Sequence, residues 1–321
     1  MKVLVTGGAG FIGSHLAEAL CRRGATVVVL DNLSSGSLAN LAWRRPGDPV
    51  ELVQADIADR VAVRQAVAGC DWVFHQAALV SVPKSVERPL ESHRDNVVGT
   101  LEVLAAARDA GVKRLVLASS SAIYGDHPAD VTHETLPPVP LTPYALQKYA
   151  AERYAQLFHT LYGLETVALR YFNVFGPRQS ADSPYSGVIA KFCTAFLANE
   201  RPRVFGDGRQ TRDFVYIANV VAANLAAADQ PAAHVAGKVF NVATGTSITL
   251  LDLIGELQRL TGRALEPQFE PGRPGDVRFS RADLAAAWKG LAYEARVSWQ
   301  TGLAETLEFY RACDPACAAR L

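Results

Sequence analysis

The chain has 321 residues, 49% of them hydrophobic and 20% charged, enough for one large domain or two intimate ones with a full core. Lys+Arg and Asp+Glu both number 32, so no net positive field draws the protein to nucleic acid or to an anionic membrane surface. No apolar run approaches the ~20 residues of a membrane span, and neither nucleic acid nor membrane is an expected partner. "MKVLVTGG" enters a strand directly, without the basic flank, apolar core and cleavage site of a signal peptide, so the cytoplasm is the expected compartment. The five cysteines are scattered and odd in number, with no Cys-x-x-Cys pair, and "CDPAC" near the C-terminus lacks a second ligand pair. They read as free thiols in a reducing compartment, and no metal is expected.

Short β-branched runs alternate with helical stretches through the first half, the pattern of a parallel sheet covered on both faces. Predicted strands lie at 2–6, 26–31, 50–56, 71–77, 114–120 and 165–172, with helices at 12–23, 59–68, 88–110 and 143–162 in the gaps. The helices at 88–110 and 143–162 carry apolar or small residues over much of their length. That suits packing across a dimer and core packing within the monomer equally. After residue 172 the pattern changes: "NVFGPRQSADSPYSG" reads as a long loop of the kind that binds ligands. A helix at 188–198, a strand at 203–205, a helix at 218–229, a strand at 238–242, a helix at 249–261 and a tail of small helices follow.

"VLVTGGAGFIGSHLAEAL" places Gly7, Gly10 and Gly13 between the first strand and the first helix. Glycines there allow a tight turn, close approach of backbone to a pyrophosphate, and close packing of helix on strand. The helix beginning at Ile12, after Phe11, points its free N–H groups at the phosphates. Asp31 ends the second strand, where an acid accepts from adenosine ribose hydroxyls and repels a 2′-phosphate. No arginine follows at once in "DNLSSGS", so NAD is expected rather than NADP. Asp56, closing "VQAD", is placed toward the adenine edge, and "HQAAL" closes the fourth strand with small residues that let backbone approach the cofactor.

"TPYALQK" puts Tyr144 and Lys148 four residues apart, on one helical face. A free tyrosine loses its proton near pH ~10 and is a poor base. A neighbouring ammonium favours the phenolate and brings that value down. Alone, the pair reads equally as an exposed contact on an amphipathic helix. The strand "RLVLASSSAIYG" ends in three serines at the same sheet edge, and a hydroxyl there completes a Ser–Tyr–Lys proton relay.

In order along the chain, "TGGAGFIG", "HQAA", "DNVVGT", "SSSAIYG", "TPYALQK", "LRYFNVFGP", "GDGRQTRDFVYI", "FNVATG" and "PGDVRFS" resemble the extended short-chain dehydrogenases/reductases. Within that family the likeness is to nucleotide-sugar 4-epimerases of the UDP-glucose and UDP-N-acetylglucosamine type. The resemblance implies an α/β fold, a Rossmann-type doubly wound parallel sheet with a smaller, interwoven α/β substrate-binding domain. NAD would be bound by 1–172 with a return segment near 211–242, and the nucleotide sugar by 173–210 and 243–321. Tyr144 matches the acid/base, Lys148 its partner on the nicotinamide ribose, and Ser120 the hydroxyl of the triad. Cofactor contacts are implied at Gly7, Gly10, Phe11, Ile12, Gly13, Asp31, Asn32, Ser34, Ser35, Gly36, Asp56, Ile57, Gln76, Ala77, Ala78, Asn96, Ser119 and Phe172. Substrate contacts are implied at Ser81, Ser121, Asn173, Val188, Val204, Arg212, Arg273 and Ser280, with the two arginines neutralising a diphosphate. A UDP-sugar substrate, tightly bound NAD and a homodimer follow from the same resemblance.

Fold alone does not choose among epimerase, dehydratase, decarboxylase and dehydrogenase. Dehydratases of this family carry an Asp-Glu pair after the triad serine, and decarboxylases a glutamate at the second position. Here the residues are Ser121 and Ala122, which cannot move a proton on carbon 5. No cysteine nucleophile lies near the triad, Cys193 being placed in the 188–198 helix, so a net oxidation is the less fitting reading. A glucuronate epimerase shares nearly every motif; Lys84 and Arg178 are the candidates to meet its carboxylate. The family position four residues after Asp276 is bulky in enzymes restricted to plain hexoses and small in those accepting a 2-acetamido group. Ser280 stands there. Ser280→Tyr is therefore expected to abolish turnover of the acetamido sugar and spare UDP-glucose in an NMR product assay, and loss of both turnovers refutes the gate.

Overall fold

The computed structural model describes residues 1–127, 129, 131–181, 187–272 and 277–313. The first half lays down β1 (Lys2–Thr6), α1 (Phe11–Arg22), β2 (Thr26–Asp31), β3 (Val50–Gln54), α2 (Arg60–Val67) and β4 (Trp72–His75). It continues with α3 (Val82–Glu87), α4 (Pro89–His93), α5 (Gly99–Asp109), β5 (Arg114–Ser120), α6 (Pro143–Tyr162) and β6 (Glu165–Tyr171). Next come β7 (Asn173–Phe175), α7 (Val188–Leu197), β8 (Arg203–Phe205), β9 (Thr211–Arg212), β10 (Phe214–Tyr216), α8 (Ile217–Asp229) and α9 (Ala232–Val235). The chain then forms β11 (Lys238–Val242), β12 (Ile248–Thr249), α10 (Leu250–Thr261), β13 (Gln268–Glu270), α11 (Ala285–Leu291) and α12 (Trp299–Cys313).

The central sheet has seven strands in the order β11-β6-β5-β4-β1-β2-β3, every neighbour parallel. Its strands are apolar on both faces because both are covered. Val3, Val5, Val27 and Val29 pack on one side with Leu16, Ala17 and Leu20 of α1 and with Val220 and Ala223 of α8. Leu4, Val28, Leu30 and Val73 pack on the other with Val63 of α2, Val103 and Leu104 of α5, and Ala151 and Ala155 of α6. The first cluster runs on through Phe175, Phe192, Phe196 and Leu253, so the sheet and the second lobe share one core. Three small pairs, β7 with β10, β8 with β13 and β9 with β12, build that lobe.

Register decides where the site falls. Thr6 lies beside Leu30 and His75, Asp31 beside Gln54, and His75 beside Leu117, so the C-terminal ends of the strands share one edge, which β5 and β6 overrun to Ser120 and Tyr171. Two buried arginines brace that arrangement. Arg114 on β5 donates to Glu165 on β6 and, through Nη1, to the carbonyls of Ala227, Ala228 and Gln230, capping the negative end of α8. Arg170 on β6 forms a two-pronged ion pair with Glu152 on α6, at 2.7 and 3.0 Å, with both side chains nearly inaccessible.

The structure corrects several boundaries. The single helix predicted over 88–110 is α4, a π-turn at Arg94–Val98, and α5. Thr100 Oγ1 donates to the Asn96 carbonyl at 2.7 Å, and Gly99 passes so close to Ile57 that a Cβ would sit 2.7 Å from its side chain. π-Turns of this kind recur at functional sites. β3 stops at Gln54 and β4 at His75, earlier than predicted, which frees Asp56 and the segment 76–80 from the ladder. The loop predicted after 172 opens as strand β7, and the tail predicted as small helices contains the 15-residue α12.

Candidate active site

The cofactor side is built from the glycine turn. Gly7 adopts φ +65°, and a Cβ on Gly13 would lie 2.1 Å from the Gly7 carbonyl oxygen, so only hydrogen fits between α1 and β1. Gly10 caps α1 with no side-chain hydrogen bond, leaving the first N–H groups, at Phe11 and Ile12, for an anion. Asp31 is buried and accepts from Ala9 N and Leu33 N at 2.9 and 2.8 Å. Gly36 packs against the same carboxylate, where a Cβ would be 2.9 Å from Oδ1. Asn32, Ser34 and Ser35 are exposed on the loop above it, with Asn32 Oδ1 accepting from Ser34 N. Asp56 accepts from Ala58 N and lies within reach of Asn32, and Ile57 is buried beneath it. A pyrophosphate cradle that side chains would fill, uncapped helix N–H groups and a carboxylate at the second strand end together fit NAD.

Segment 76–80 is held from three directions. Gln76, Tyr171 and Asn224 form a closed ring, with Gln76 Nε2 donating to Asn224, Asn224 to the Tyr171 oxygen, and Tyr171 to Gln76 Oε1. Ala77 N donates to Thr6 Oγ1 at 3.2 Å, beside Ala78. Asn96 clamps Leu79, accepting from its N–H at 2.7 Å and donating to its carbonyl at 3.0 Å. The same amide donates to Gln147 Oε1 on α6, which also receives Ser92 Oγ. Beneath it, buried His75 bridges Thr6 and Thr100; burial, and then the charge of Lys148, push its pKa down to about 3, so the ring is neutral.

Thr142 caps α6 and Pro143 occupies its first turn, which sets Tyr144 and Lys148 one turn apart on the face turned inward. Both are buried, at 8% and 6% exposure. Burial raises the Tyr144 phenol, and its hydrogen bond with Ser120 pulls it back. Burial lowers the Lys148 pKa to about 8, and its Nζ donates to the Ala118 carbonyl at 3.0 Å. The expected ammonium effect on the phenol is thus not the dominant one in this structure; desolvation is. Ser119, one residue earlier, donates to the buried Glu152 at 2.9 Å.

Ser120, Ser121, Tyr144, Phe172, Asn173, Arg212 and Ser280 converge on one cleft of ≈ 360 Å³. Val204 does not join them: it is fully buried on β8. Nor do Val188, which opens α7, and Ser81, which caps α3 through Lys84 N. Arg273 and Asp276 lie outside the described residues. Lys84 and Arg178 do not line the cleft; Arg178 is paired with Glu18 of α1. Cys193 is fully buried, and burial pushes its thiol up to about 12.

Sequence reasoning missed Tyr124, Leu141, Val277 and Phe279, which also line the cleft, and Arg94, which ion-pairs with Asp56 at 2.5 Å. Tyr124 donates to Asn241 at 2.6 Å with the Arg170 guanidinium 4.8 Å over its ring, and burial pushes its pKa to about 12. The Tyr in "AIYG" was a readable signal for the first of these. Nothing local marks Arg94, whose partner is distant in sequence. Among the described residues lining the cleft there is no carboxylate, histidine, lysine or cysteine.

The fold and this edge define a dinucleotide-binding enzyme of the Rossmann type. A profile of the NAD dependent epimerase/dehydratase family matches residues 3–243, and the chain belongs to that family. It is 41% identical over 313 residues to the UDP-glucose 4-epimerase of Mycolicibacterium smegmatis, covering 97% of this chain and 99% of that one. The solved structure of Thermotoga maritima UDP-glucose 4-epimerase with UDP-glucose superimposes with a TM-score of 0.92 at 39% identity, over 98% of this chain and 99% of that one. The UDP-N-acetylglucosamine 4-epimerase of Methanobrevibacter ruminantium, in complex with UDP-N-acetylmuramic acid, gives a TM-score of 0.92 at 38% identity over 98% and 99%.

The buried lysine has a thermodynamic signature. Its pKa falls from 10.5 to about 8 on folding, so between those values the unfolded chain binds more protons and stability rises with pH. In cofactor-free protein, the unfolding free energy of the wild type should therefore gain on that of Lys148→Met between about pH 8 and 10.5, measured by urea titration. A constant difference across that range would show that the ammonium is not strained by burial.

Proposed function

We propose that this chain is a UDP-sugar 4-epimerase that keeps NAD bound and inverts carbon 4 of UDP-glucose/UDP-galactose and of the 2-acetamido sugars. One observation carries the choice among reactions of the family. The described cleft wall offers tyrosine hydroxyls as its only titratable acids or bases, apart from the guanidinium of Arg212. Tyr171 is tied into the ring with Gln76 and Asn224, and the Tyr124 hydroxyl is given to Asn241. That leaves Tyr144, paired with Ser120. A wall with one proton-transfer group suits proton movement at one oxygen and does not suit elimination or decarboxylation, which need another at carbon 5.

Tyr144 holds and returns the proton of the sugar 4-hydroxyl, with Ser120 hydrogen-bonded to the same oxygen. The glycine turn and Asp31 would hold NAD, which would supply a reversible hydride acceptor at carbon 4 with no net redox change. Lys148 lies a turn below the phenol, placed to hold the nicotinamide ribose and to lower the phenol's pKa once that site is filled. Arg212 and Asn173 hold the diphosphate, with Arg273 as the second cation. Most binding energy must reside there, because the keto sugar has to turn over before its other face is reduced. The remaining wall, with Phe172, Phe279 and Ser280, is broad and weakly polar, which suits loose holding.

The test is incubation with a panel of nucleotide sugars and no added cofactor, read by NMR. UDP-glucose and UDP-N-acetylglucosamine should give their 4-epimers, and Tyr144→Phe should slow this by ~10²–10⁴, the usual contribution of a positioned acid/base. Product formation only with added NAD, in stoichiometric redox, would replace this reading with a dehydrogenase.

The active species is read as a cytoplasmic homodimer. Cys21, Cys70 and Cys193 are buried free thiols, and no described helix is long and apolar enough to cross a membrane. Leu146, Tyr154, Leu157 and Leu161 recur at helical spacing along α6 and are exposed, with Leu157 at 45% and Leu161 at 64%. A second copy laid against this face buries them. Leu157→Glu with Leu161→Glu should halve the mass seen in sedimentation; a wild type that sediments as a monomer removes the dimer.

A further inference from the structure

The cleft residues Val277, Phe279 and Ser280 all lie on one segment, 277–283, which follows β13 and forms part of the cleft wall. Backbone hydrogen bonds anchor it at both ends, with Thr132 Oγ1 and Asn241 Nδ2 also donating to the carbonyls of Arg281 and Asp283. Thr211 N donates to the Arg278 carbonyl at 3.0 Å, Thr132 N to the Arg281 carbonyl at 2.9 Å, and Asp283 N to the Thr132 carbonyl at 2.9 Å. Between them, Ala282 N donates to Asp213 Oδ2 at 3.2 Å.

Asp213 does not line the cleft, and it is completely buried. Its Oδ1 accepts from Thr244 N at 2.8 Å and Thr244 Oγ1 at 2.7 Å; its Oδ2 accepts from Gly245 N at 2.9 Å and from Ala282 N. Every partner is a donor, so an acceptor-only group is specified at both oxygens. Its backbone carbonyl receives the N–H and the Nδ2 of Asn173, at 3.1 and 3.3 Å, and Arg212 precedes it in the chain. One residue thus touches the diphosphate side through its main chain and the sugar side through its carboxylate. Burial raises the carboxyl's pKa, and the four donated bonds oppose that.

We propose that Asp213 is a positioning residue that locks segment 277–283 to the diphosphate-binding strands, so that a buried carboxylate behind the cleft sets the depth of the sugar pocket under Ser280. This rests on the epimerase reading for its consequences in turnover but not for its structural content. An asparagine is the same size yet must turn an NH₂ toward N–H groups at one oxygen position. The strands β7 and β9 then keep their place while the segment comes loose.

The experiment compares wild type, Asp213→Asn and Thr244→Val. In Asp213→Asn, hydrogen exchange at Ala282 and Gly245 should quicken by at least about tenfold, with the amides of β1 and β5 unchanged. KM for UDP-glucose should rise by about threefold to tenfold, a limited loss because the diphosphate site carries most of the binding energy, with kcat within about threefold and NAD content unchanged. Thr244→Val, which removes one donor, should show a smaller rise of the same kind and carries the test if Asp213→Asn does not fold. Wild-type KM and wild-type exchange at Ala282 in the folded variant overturn the proposal, as does a fall in kcat with KM unmoved. A wild type that inverts no sugar sinks the epimerase reading alone, because the exchange measurement still decides the role of Asp213.

Discussion

The parallel register of the central sheet is the constraint on which the site depends. Because Thr6, Asp31, His75 and Ser120 all lie at the C-terminal ends of parallel strands, the glycine turn, Asp31, segment 76–80 and Ser120 face a single edge. In a parallel sheet each strand returns in the same sense, so the loops after every strand gather there. A slip of one residue would turn each inward side chain to the opposite face. The buried braces serve this register: Arg114 ties β5 and β6 to the end of α8, and the Glu152–Arg170 pair ties β6 to α6, which carries Tyr144 and Lys148. A buried ion pair adds little stability over an apolar one, but breaking it leaves a charge without a partner.

Desolvation is the second organising effect. Tyr144, Lys148 and His75 are all removed from water, and each pKa moves in the direction that disfavours charge. A neutral imidazole can bridge Thr6 and Thr100 in one fixed sense, since Thr100 gives its own proton to the Asn96 carbonyl and must accept from the ring. Asn96 is fixed in turn by the Leu79 N–H, which requires the carbonyl end of the side chain, so its NH₂ end meets Gln147 on α6. Segment 76–80 and the helix carrying Tyr144 are thereby positioned by one buried polar chain, in which every member has a partner.

The strands of the first half and the helix 143–162 were legible from apolar runs, β-branched residues and the Thr-Pro start of α6, because those signals are local. The glycine turn and Asp31 were legible for the same reason: backbone crowding and a strand-end carboxylate have short-range signatures. The break in the helix predicted over 88–110 was not. It arises from Asn96 meeting Leu79 and Gln147, partners far along the chain, and no local propensity encodes it. β7, β9 and β10 are two or three residues long, too short for a period to show. Val204 looked like a ligand contact by likeness of motif, yet its strand buries it in the core.

By itself the sequence determined the fold class and the nucleotide preference, the first from alternating strand and helix patterns and the second from residue types at fixed spacing along one strand–turn–helix, and it marked Tyr144, Lys148 and Ser120 as candidates. Only the tertiary structure decided that the described residues of the cleft wall include no carboxylate, that Arg94 meets Asp56, and that Asp213 stands behind segment 277–283. Those facts concern distances between residues far apart in the chain. Such distances are set by how the two lobes pack around their common core, and no stretch of sequence contains them.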